Sequence, residues 1–494
     1  MLLAGQITLQ RDETESLSRQ IYGQIRGQIE EGRLIAGVKL PTSRSLAQDL
    51  KVGRNTVMTA YEQLVMEGFL VADGRRGTKI SEASRGFEGQ GEPRERALSS
   101  DNIAKPRLAK QAHDMIDVRR REHPAFYSFQ PGLPELRSFP HDLWARHLRR
   151  AARQMQLHPD MGGYGNYSGL PELQDAIIEH VRLTRGVVAE PEQVLILSSA
   201  QAALDLVSRL LLDAGDPAMM EEPGYSGALA AFRGAQAELR PLKLDDKAPF
   251  ACLPEGFDPK LIYVTPSHQF PTGRLMGLEE RLALLHYAER SSSYVLEDDY
   301  DSEFHFKGTP IASLQGLDRQ ERVIYMGTFS KSLMPALHVA YLIMPPKLVS
   351  PATSMHRNIG SAPAVVLQYA IASFMQEGQF RTHIRQMCLL YQQRREHLLA
   401  ALERNCANAL LPTQQDGGIQ LLGYLSDQLL KQGWDDQSLS HHLRGHGIEN
   451  SPLSSFYWSG QMDRRQGLFL GYAASSLDAI DAQVELMAKL IAER

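Results

Sequence analysis

The sequence is poor in cysteine and has no long apolar runs. Its 494 residues include three cysteines, Cys252, Cys388 and Cys406, which are widely separated and odd in number. This pattern excludes a disulfide framework and a Cys-x-x-Cys metal site, so we predict no metal. No run of about 18 apolar residues is present, and we therefore expect no membrane span.

A strong charge of one sign is also missing. The formal net charge is -5, with 43% hydrophobic and 22% charged residues, a balance typical of globular proteins. Any attraction for nucleic acid must therefore come from a local patch. The first residues, "MLLAGQITLQRDETE", contain acids too early for a signal peptide, so we expect a cytoplasmic protein. The length predicts about two to four domains.

The segment 10–81 has the pattern of short helices followed by a hairpin. An apolar residue at every fourth position predicts the first helix, at Leu17, Ile21, Ile25 and Ile29. "SRSLAQDL" predicts a second helix and "RNTVMTAYEQLVMEG" a third. The buried face of the third helix should carry Val57, Ala60, Tyr61, Leu64 and Val65. "FLVADGRRGTKI" then predicts two short strands around a tight turn.

Helix, tight turn, helix and basic hairpin are the parts of a winged helix-turn-helix, in which one helix enters the DNA major groove. From Arg19 to Lys79 there are ten Lys or Arg and six Asp or Glu, which leaves a local net charge of +4. A small helical subdomain with a solvated basic face is the alternative. DNA binding is favoured because arginines stand at two helix starts and at the hairpin tip.

The stretch "LPTSRSLAQDLKVGRNTVMTAYEQLVMEGFLVADGRRGTKI" resembles the DNA-binding domain of the GntR regulators. The resemblance implies DNA contacts from Arg44, Arg54, Asn55, Thr56, Arg75, Arg76 and Gly77. Residues 82–123 are rich in Gly, Ser, Glu, Arg and Pro, and they predict a flexible linker. A second domain should then span 124–494.

The second domain has the pattern of an α/β fold. Six apolar runs alternate with helical stretches: "QVLIL", "DPAMMEE", "LIYVTP", "SYVLEDD", "RVIYMGT" and "VAYLIMP". Such alternation predicts a mostly parallel central sheet. Ligands of such sheets bind beyond the carboxyl ends of the strands, so the polar residues that follow each run are the candidate site.

These polar residues form a helix start suited to anions, an aromatic ring, a carboxylate with a phenol, and an amine between hydroxyls. They are Ser199, Ala200, Gln201, Tyr225, Asp298, Tyr300, Thr328, Ser330 and Lys331. Taken singly, each has an ordinary explanation, such as a helix N-cap, a loop tyrosine or a surface lysine. Pyridoxal 5′-phosphate needs all of them, because it uses a lysine for a Schiff base, a carboxylate for its ring nitrogen, and hydroxyls and N–H groups for its phosphate.

The order of these groups resembles that in the fold-type-I aminotransferases. The resemblance implies that Lys331 carries pyridoxal phosphate, that Asp298 pairs with its pyridine nitrogen, and that Tyr300 bonds its ring hydroxyl. It also implies that Tyr225 stacks on the ring. Phosphate contacts are implied for Ser199, Ala200, Gln201, Thr328 and Ser330. "YGNYSGLPELQDAIIEHV" resembles a segment whose tyrosine, here Tyr164, reaches the neighbouring subunit's phosphate, and "TPSHQFPTG" resembles the loop beside the ring.

Two positions depart from that family's pattern. His338, seven residues after Lys331, stands where an arginine normally binds the phosphate. A neutral imidazole donates one hydrogen bond, whereas arginine forms a charged fork. Phe469, in "GLFLGYAA", stands where a second arginine normally clamps the substrate α-carboxylate. Its loss removes a charge-assisted pair unless Arg464 or Arg465 replaces it.

A winged helix joined by a linker to an aminotransferase-like domain resembles the MocR (GabR-like) regulators over the whole chain. The resemblance implies a transcriptional regulator, a head-to-tail homodimer that binds operator DNA and senses a small amine or pyridoxal phosphate itself. Two alternatives remain: a genuine aminotransferase with an accessory DNA-binding module, and a dimerisation scaffold without cofactor. The missing carboxylate clamp disfavours the aminotransferase alternative. His338, in place of a phosphate-binding arginine, is the feature that supports the scaffold alternative. The effector and the target genes are left open.

Overall fold

The structure is a computed structural model, and the chain forms two compact units, Met1–Pro106 and Arg107–Arg494. The described residues are 6–11, 15–73, 77–87, 108–109, 111–112, 115, 129–159, 163, 165, 167–243, 256–306, 312–460 and 464–493. Three predicted site residues, Arg75, Arg76 and Tyr164, lie outside these ranges. Within them, no helix is long and apolar enough to cross a membrane.

The first unit consists of three helices closed by a hairpin. Its elements are α1 (Leu17–Glu30), α2 (Ser43–Asp49), α3 (Arg54–Met66), β1 (Leu70–Ala72) and β2 (Thr78–Ile80). The predicted apolar faces form the core, with Ile21, Ile25, Val57 and Leu64 fully buried. β1 and β2 pair antiparallel, which confirms the winged helix-turn-helix fold. Val65 is instead 36% exposed, because eight residues rotate a helix by about 80° beyond two full turns.

The first unit continues past residue 81, where we placed the start of the linker. Glu82–Phe87 form a 3-10 helix that packs against α1, and Ser84 is buried. A serine turn starts this helix, because the Ser81 hydroxyl accepts a hydrogen bond from the Ala83 N–H at 3.3 Å. Composition does not reveal the turn, since Ser and Gly also suit a flexible segment.

The second unit is built on a seven-stranded sheet. Its strands are β3 (Val194–Leu197), β4 (Pro217–Glu222), β5 (Glu238–Lys243), β6 (Leu261–Val264), β7 (Tyr294–Asp299), β8 (Val323–Thr328) and β9 (Ala340–Ile343). In the order β3-β9-β8-β7-β6-β4-β5, every pairing is parallel except the two made by β9. The predicted mostly parallel sheet is therefore confirmed. The edge strand β5, "ELRPLK", was not predicted because its charges and proline conceal it.

Helices cover both faces of this sheet. They are α4 (His141–Leu157), α5 (Pro171–Arg185), α6 (Ala200–Leu211), α7 (Ser226–Gly234), α8 (Leu278–Arg290), α9 (Leu314–Leu317), α10 (Phe329–Ser332), α11 (Pro346–Ile359) and α12 (Val365–Gln376). On one face α6 and α7 share a core with Leu296 and Met326. On the other face α8 packs against Val264 and Val295. Burial on both faces explains why the strands appear in the sequence as continuous apolar runs.

The strand β9 brings the ends of its two neighbours together. Leu197, the last residue of β3, and Thr328, the last residue of β8, both pair with Ala340 of β9. β7 adjoins β8, with Asp299 opposite Gly327. The carboxyl ends of β3, β7 and β8 therefore meet at one edge, and the residues just beyond them share a site.

A second, four-stranded antiparallel sheet lies in the C-terminal part of this unit, after a long helix. Its elements are α13 (Gln379–Cys406), β10 (Leu410–Pro412), β11 (Gln420–Leu425), α14 (Asp427–Lys431), α15 (Asp436–Gly445), β12 (Ser451–Pro452), β13 (Gly467–Gly471) and α16 (Leu477–Ala492). The strand order is β10-β11-β13-β12, and Leu398, Leu421, Leu470 and Val484 lie in its core. This sheet was not predicted, since its strands are short and pair across long stretches of chain.

Candidate functional site

Lys331 lies in the short helix α10, directly after β8, and is half-buried. Its Nζ donates a hydrogen bond to the carbonyl oxygen of Gly132 at 2.6 Å. Burial lowers the pKa of Lys331, although the carboxylates of Asp301 and Asp298 oppose this change. A larger fraction of the amine is then neutral, the form in which lysine acts as a nucleophile. The position does not fit an ordinary surface lysine.

Asp298 is a buried carboxyl group on β7, 6% exposed. The Tyr263 hydroxyl donates a hydrogen bond to its Oδ2 at 2.6 Å. Burial raises the pKa of Asp298 to about 7; the Tyr263 hydrogen bond opposes the rise, and the charge of Asp299 adds to it. A cation beside this carboxyl would favour its ionised form. The protonated nitrogen of a pyridine ring is such a cation.

An aromatic cluster joins the predicted ring-binding residues. Phe270 is its centre, with edge-on contacts to the rings of Tyr225, Tyr300, Phe456 and Phe469 at centroid distances of 5.5, 6.1, 5.1 and 5.4 Å. The Phe270–Pro271 peptide, in the "TPSHQFPTG" loop, is cis. We quoted this loop from the sequence but did not identify Phe270. The structure thus brings Tyr225 and Tyr300 into contact with one phenyl ring.

The phenol of Tyr300 is held in its protonated form. Burial raises the pKa of Tyr300 well above its usual value, and the carboxylates of Asp301 and Asp298 add to the rise. A protonated phenol can donate a hydrogen bond to an oxyanion such as a deprotonated ring hydroxyl. Tyr300 therefore suits the role that the resemblance implied.

The start of α6 is capped in the ordinary way and still suits an anion. The Ser199 hydroxyl accepts a hydrogen bond from the Ala202 N–H at 3.0 Å. The N–H groups of Ala200 and Gln201 lie in the first turn, where a helix provides no backbone acceptor for them. The Gln201 side chain donates to the Gly227 carbonyl at 3.0 Å, so its contribution to an anion site would come from the main chain.

Thr328 and Ser330, the other residues predicted to contact the phosphate, lie at the start of α10. Thr328 caps α10, and its hydroxyl oxygen accepts a hydrogen bond from the Ser330 N–H at 3.1 Å. Each hydroxyl keeps its own O–H to donate. Because Leu197 and Thr328 pair with the same residue of β9, the starts of α6 and α10 face one edge of the sheet.

The two departures from the aminotransferase pattern have different surroundings. His338 is exposed and has a left-handed backbone, with φ of 51°, directly after the 3-10 turn Pro335–Leu337. Phe469, on β13, is only 2% exposed and packs with Leu422, Leu453 and Tyr457. The ring at the position where the resemblance leads us to expect a carboxylate clamp is thus part of tightly packed apolar surface.

The two nearby arginines lie at the surface of this region. The Arg465 guanidinium stacks on the Tyr424 ring, 3.7 Å from its centroid. Arg464 is exposed. Phe469 points into the buried aromatic cluster, so the positive charge that the family pattern places there is replaced by an aromatic face.

The second sheet contributes a residue that we missed in the sequence. Gln420, the first residue of β11, is 5% exposed, and its amide lies beside the Tyr300 hydroxyl. The preceding turn packs on a buried pair, in which His268 Nδ1 lies 2.8 Å from Asp301 Oδ1. A Cβ on Gly417 would lie 2.5 Å from the His268 ring, so only glycine fits there. The adjacent glycines of "DGGIQ" are the sequence signal that indicates such a close approach.

His268 and Asp301 form a buried hydrogen-bonded pair. Burial alone would lower the pKa of His268, but the charge and hydrogen bond of Asp301 raise it overall. The pair joins the ring loop, which contains His268, to the "DGGIQ" turn, whose glycines pack against both side chains. The Gly418 N–H of this turn also donates a hydrogen bond to the Phe304 carbonyl at 2.8 Å. The two sheets of this unit are therefore joined next to Lys331 by polar contacts.

A second set of hydrogen bonds joins the end of β4 to residues 456–459, beside the aromatic cluster. Glu222, fully buried at the end of β4, accepts hydrogen bonds from the N–H groups of Trp458 and Ser459, both at 2.6 Å. The Gly224 N–H donates to the Phe456 carbonyl at 3.1 Å. Phe456 is thus tied to the turn that carries the predicted stacking residue.

In the first unit, the predicted DNA contacts lie at the starts of α2 and α3. Arg44, Arg54 and Asn55 are exposed, and Thr56 is half-buried. Gly53 caps α3 without a side chain, and the first turn of this helix contains no acid. The positive end of the helix dipole is therefore left without a compensating anion from its own first turn, and it favours a DNA phosphate there.

Gly77, a predicted DNA contact in the hairpin, has a φ of 95°, which lies in the region that favours glycine. A Cβ at this position would lie 2.9 Å from Lys39 Cε. The backbone of Lys39 also forms an isolated antiparallel bridge with Lys79 of β2. Two lysines therefore lie side by side next to the hairpin.

Known proteins resemble both units. The family model "Bacterial regulatory proteins, gntR family" matches residues 17–80, and "Aminotransferase class I and II" matches residues 138–464. The probable rhizopine catabolism regulatory protein MocR of Rhizobium meliloti is 39% identical over 471 residues, which cover 94% of this chain and 92% of that protein. The chain belongs to the MocR family of transcriptional regulators.

This MocR-family regulator is also 30% identical to the pyridoxine biosynthesis transcriptional regulator PdxR of Corynebacterium glutamicum, over 92% of this chain and 95% of that protein. Among solved structures, the α-aminoadipate aminotransferase LysN of Thermus thermophilus, complexed with N-(5′-phosphopyridoxyl)-L-leucine, matches with 25% identity and a TM-score of 0.66. That match covers 78% of this chain and 95% of LysN. The predicted family and fold are confirmed, and the GntR-type domain implies DNA binding.

The residues of this MocR-family regulator fit the cofactor that its fold implies. The lowered pKa of Lys331 suits reaction with the cofactor's aldehyde. The buried carboxyl of Asp298 suits a positively charged ring nitrogen. The main-chain N–H groups at the start of α6 suit the phosphate. The aminotransferase class I and II fold implies binding of this cofactor.

We expect Asp298→Asn to reduce the pH dependence of stability of the cofactor-free regulator. Folding raises the pKa of this carboxyl from 3.8 to about 7, so the folded state binds its proton more tightly than the unfolded state. Stability then falls as pH rises between these two values. The variant avoids this loss, and near pH 8 it should be more stable than the wild type by about 1 kcal/mol or more.

Urea unfolding near pH 5 and near pH 8 measures this difference. Asp205→Asn is a matched control, because Asp205 pairs with Arg209 at the surface, 2.8 Å away. That control should keep the pH dependence of the wild type. An unchanged pH dependence in Asp298→Asn would show that the carboxyl is ionised in the folded protein at all these pH values.

Proposed function

We propose that the second unit binds pyridoxal 5′-phosphate at Lys331, uses it to sense a small amine or the cofactor itself, and thereby alters promoter binding. The observation that carries this proposal is the half-buried amine of Lys331 beside the insufficiently compensated carboxyl of Asp298. When bound, the cofactor supplies an aldehyde that reacts reversibly with primary amines. The protein residues then select and orient the amine.

Each predicted residue has one role in this proposal. Lys331 anchors the cofactor, Asp298 holds its ring nitrogen, Tyr300 donates to its ring oxygen, and Tyr225 covers a ring face. The phosphate is held by hydroxyl and N–H groups of Ser199, Ala200, Gln201, Thr328 and Ser330. Tyr164 of a neighbouring subunit would complete the phosphate site.

The surroundings of Phe469 favour a sensor over a transaminase. Transamination requires two acids to bind in turn in one site, and a carboxylate facing the buried aromatic cluster would lose its charged partner. The effector should therefore lack an α-carboxylate, or be pyridoxal phosphate itself. An exposed His338 in place of a buried arginine suits the second case, since a weaker phosphate contact lets occupancy follow concentration.

Regulation then requires two arrangements of the protein on DNA. We propose a head-to-tail homodimer whose two winged helices reach an operator, with contacts from Arg44, Arg54, Asn55, Thr56, Gly77 and the wing arginines Arg75 and Arg76. An effector shifts this equilibrium only if it binds one arrangement more tightly than the other.

Lys331→Ala should abolish the visible absorbance of bound pyridoxal phosphate, because the covalent anchor is lost. The fold should persist, since the side chain makes one hydrogen bond, to Gly132. Absorbance spectra and circular dichroism of the reconstituted variant measure both effects. Lys347→Ala, which removes an exposed lysine of α11, is the control and should keep the absorbance. Absorbance that survives in Lys331→Ala would contradict the assignment.

Arg54→Ala should weaken binding to operator DNA by about 1–3 kcal/mol, the typical value of an arginine that reads a base edge. Binding titrations at several salt concentrations separate this effect from a phosphate contact, whose loss lowers the salt slope for all sequences alike. Arg209→Ala, at the surface of the second unit, should bind DNA as the wild type does. Wild-type affinity in Arg54→Ala would mean that α3 does not read the operator.

Phe469→Arg should raise affinity for α-amino acids relative to the corresponding decarboxylated amines. A charge-assisted hydrogen bond is worth about 1.5–3 kcal/mol, or roughly one to two decades of affinity. Calorimetric titration of the cofactor-loaded protein measures the ratio, with Phe469→Leu as the uncharged control. Phe456→Arg brings a guanidinium to the same cluster from a half-buried position if Phe469→Arg does not fold. Ratios equal to the wild type in both arginine variants would argue against this site for the effector.

A further inference from the structure

Gln420 is a buried glutamine whose side-chain oxygen could accept a hydrogen bond from a ligand. The residue is 5% exposed, and within the described part of the chain its Oε1 has no hydrogen-bond partner. A buried amide oxygen without a partner costs free energy, so such atoms in native proteins usually bind water or a ligand. The side chain lies at a site whose other polar groups suit a cofactor and an amine, which makes a ligand the natural partner.

Two acceptors lie next to the Lys331 amine. A Cβ placed on Gly132 would lie 2.8 Å from Lys331 Nζ and 3.9 Å from Gln420 Oε1, so the amine and the amide oxygen border the same small space. The Gly132 carbonyl already accepts a hydrogen bond from Nζ at 2.6 Å. A backbone carbonyl and an amide oxygen, both neutral, thus face the place where an amine reaches the site.

Apolar surface begins directly beside these acceptors. Leu422 is two residues after Gln420 on β11 and therefore points to the same face of the strand. Leu422 pairs with Phe469 of β13 and lies in the same buried cluster. Through Phe469 and Phe270, this cluster continues to the ring of Tyr300. The polar acceptor of Gln420 and the apolar side chain of Leu422 are therefore neighbours on one face of β11.

The position of Gln420 is set by several contacts. The Gln415 side-chain amide donates to the Thr272 carbonyl at 2.6 Å, and the Gly418 N–H donates to the Phe304 carbonyl at 2.8 Å. The turn between them packs on His268 and Asp301. Contacts of this kind hold a binding residue in place before its ligand arrives.

We infer that Gln420 Oε1 and the Gly132 carbonyl accept the N–H groups of the effector amine, while the aromatic cluster around Phe270 binds its substituent. The effector class is then a primary amine with an apolar, uncharged substituent. An ammonium group has three N–H donors, and two neutral acceptors recognise it without needing a carboxylate. This inference rests on the proposed function, because it places the effector at the site of Lys331.

The full-length protein loaded with pyridoxal phosphate tests the inference, with 2-phenylethylamine and L-phenylalanine as probes. These molecules differ only by the α-carboxylate. Spectral and calorimetric titrations should show that the wild type binds 2-phenylethylamine at least about tenfold more tightly. Gln420→Met, which keeps the length and removes the acceptor, should weaken binding of 2-phenylethylamine about tenfold or more, the typical value of one hydrogen bond to a charged group.

Gln420→Glu restores an acceptor of the same shape and should bind 2-phenylethylamine at least as tightly as the wild type. Gln428→Met, which changes an exposed glutamine of α14, should leave the affinity unchanged. If Gln420→Met keeps the cofactor absorbance and wild-type amine affinity, the inference is wrong and the proposed function stands. Equal or tighter binding of L-phenylalanine by the wild type overturns the effector class. A wild type without bound-cofactor absorbance overturns both.

Discussion

Three consecutive acidic residues end the strand β7, and their burial shapes the site. Glu297 and Asp299 point to one face of the strand, where Asp299 pairs with Arg185 at 2.8 Å and Glu297 accepts the N–H groups of Leu314 and Gln315. Asp298 points to the other face and has a single tyrosine hydrogen bond. Burial raises the pKa of both Glu297 and Asp298 to about 7, so near neutral pH the Asp298 carboxyl favours a proton or a cationic ligand at the site.

Much of the fold and part of the site could be predicted because the signal is local. Apolar runs marked six strands, and the polar residues immediately after them, such as Asp298 and Lys331, lie at the sheet edge where ligands of such folds bind. Phe270 and Gln420 could not be found in this way. Their importance comes from partners far away in the chain, and an isolated phenylalanine or glutamine in a sequence does not indicate which residues it will meet.

The second sheet was missed for the same physical reason, and it changes how the site is understood. Its strand β11 begins at Gln420, and the turn before it is fixed to the ring loop and to the buried pair of His268 and Asp301. A ligand that contacts Gln420 therefore acts on two sheets at once. If the ligand binds one arrangement of the C-terminal elements more tightly than another, these contacts are the connection between that arrangement and the site.

The carboxylate of Glu222 gives the pocket a frame that is independent of its lining. It binds main-chain N–H groups of Trp458 and Ser459, and the adjacent Gly224 N–H binds the carbonyl of Phe456. These bonds use main-chain groups, so the Phe456 and Phe469 side chains take no part in them. A substitution of either ring changes the apolar packing around Phe270 and leaves this main-chain connection in place.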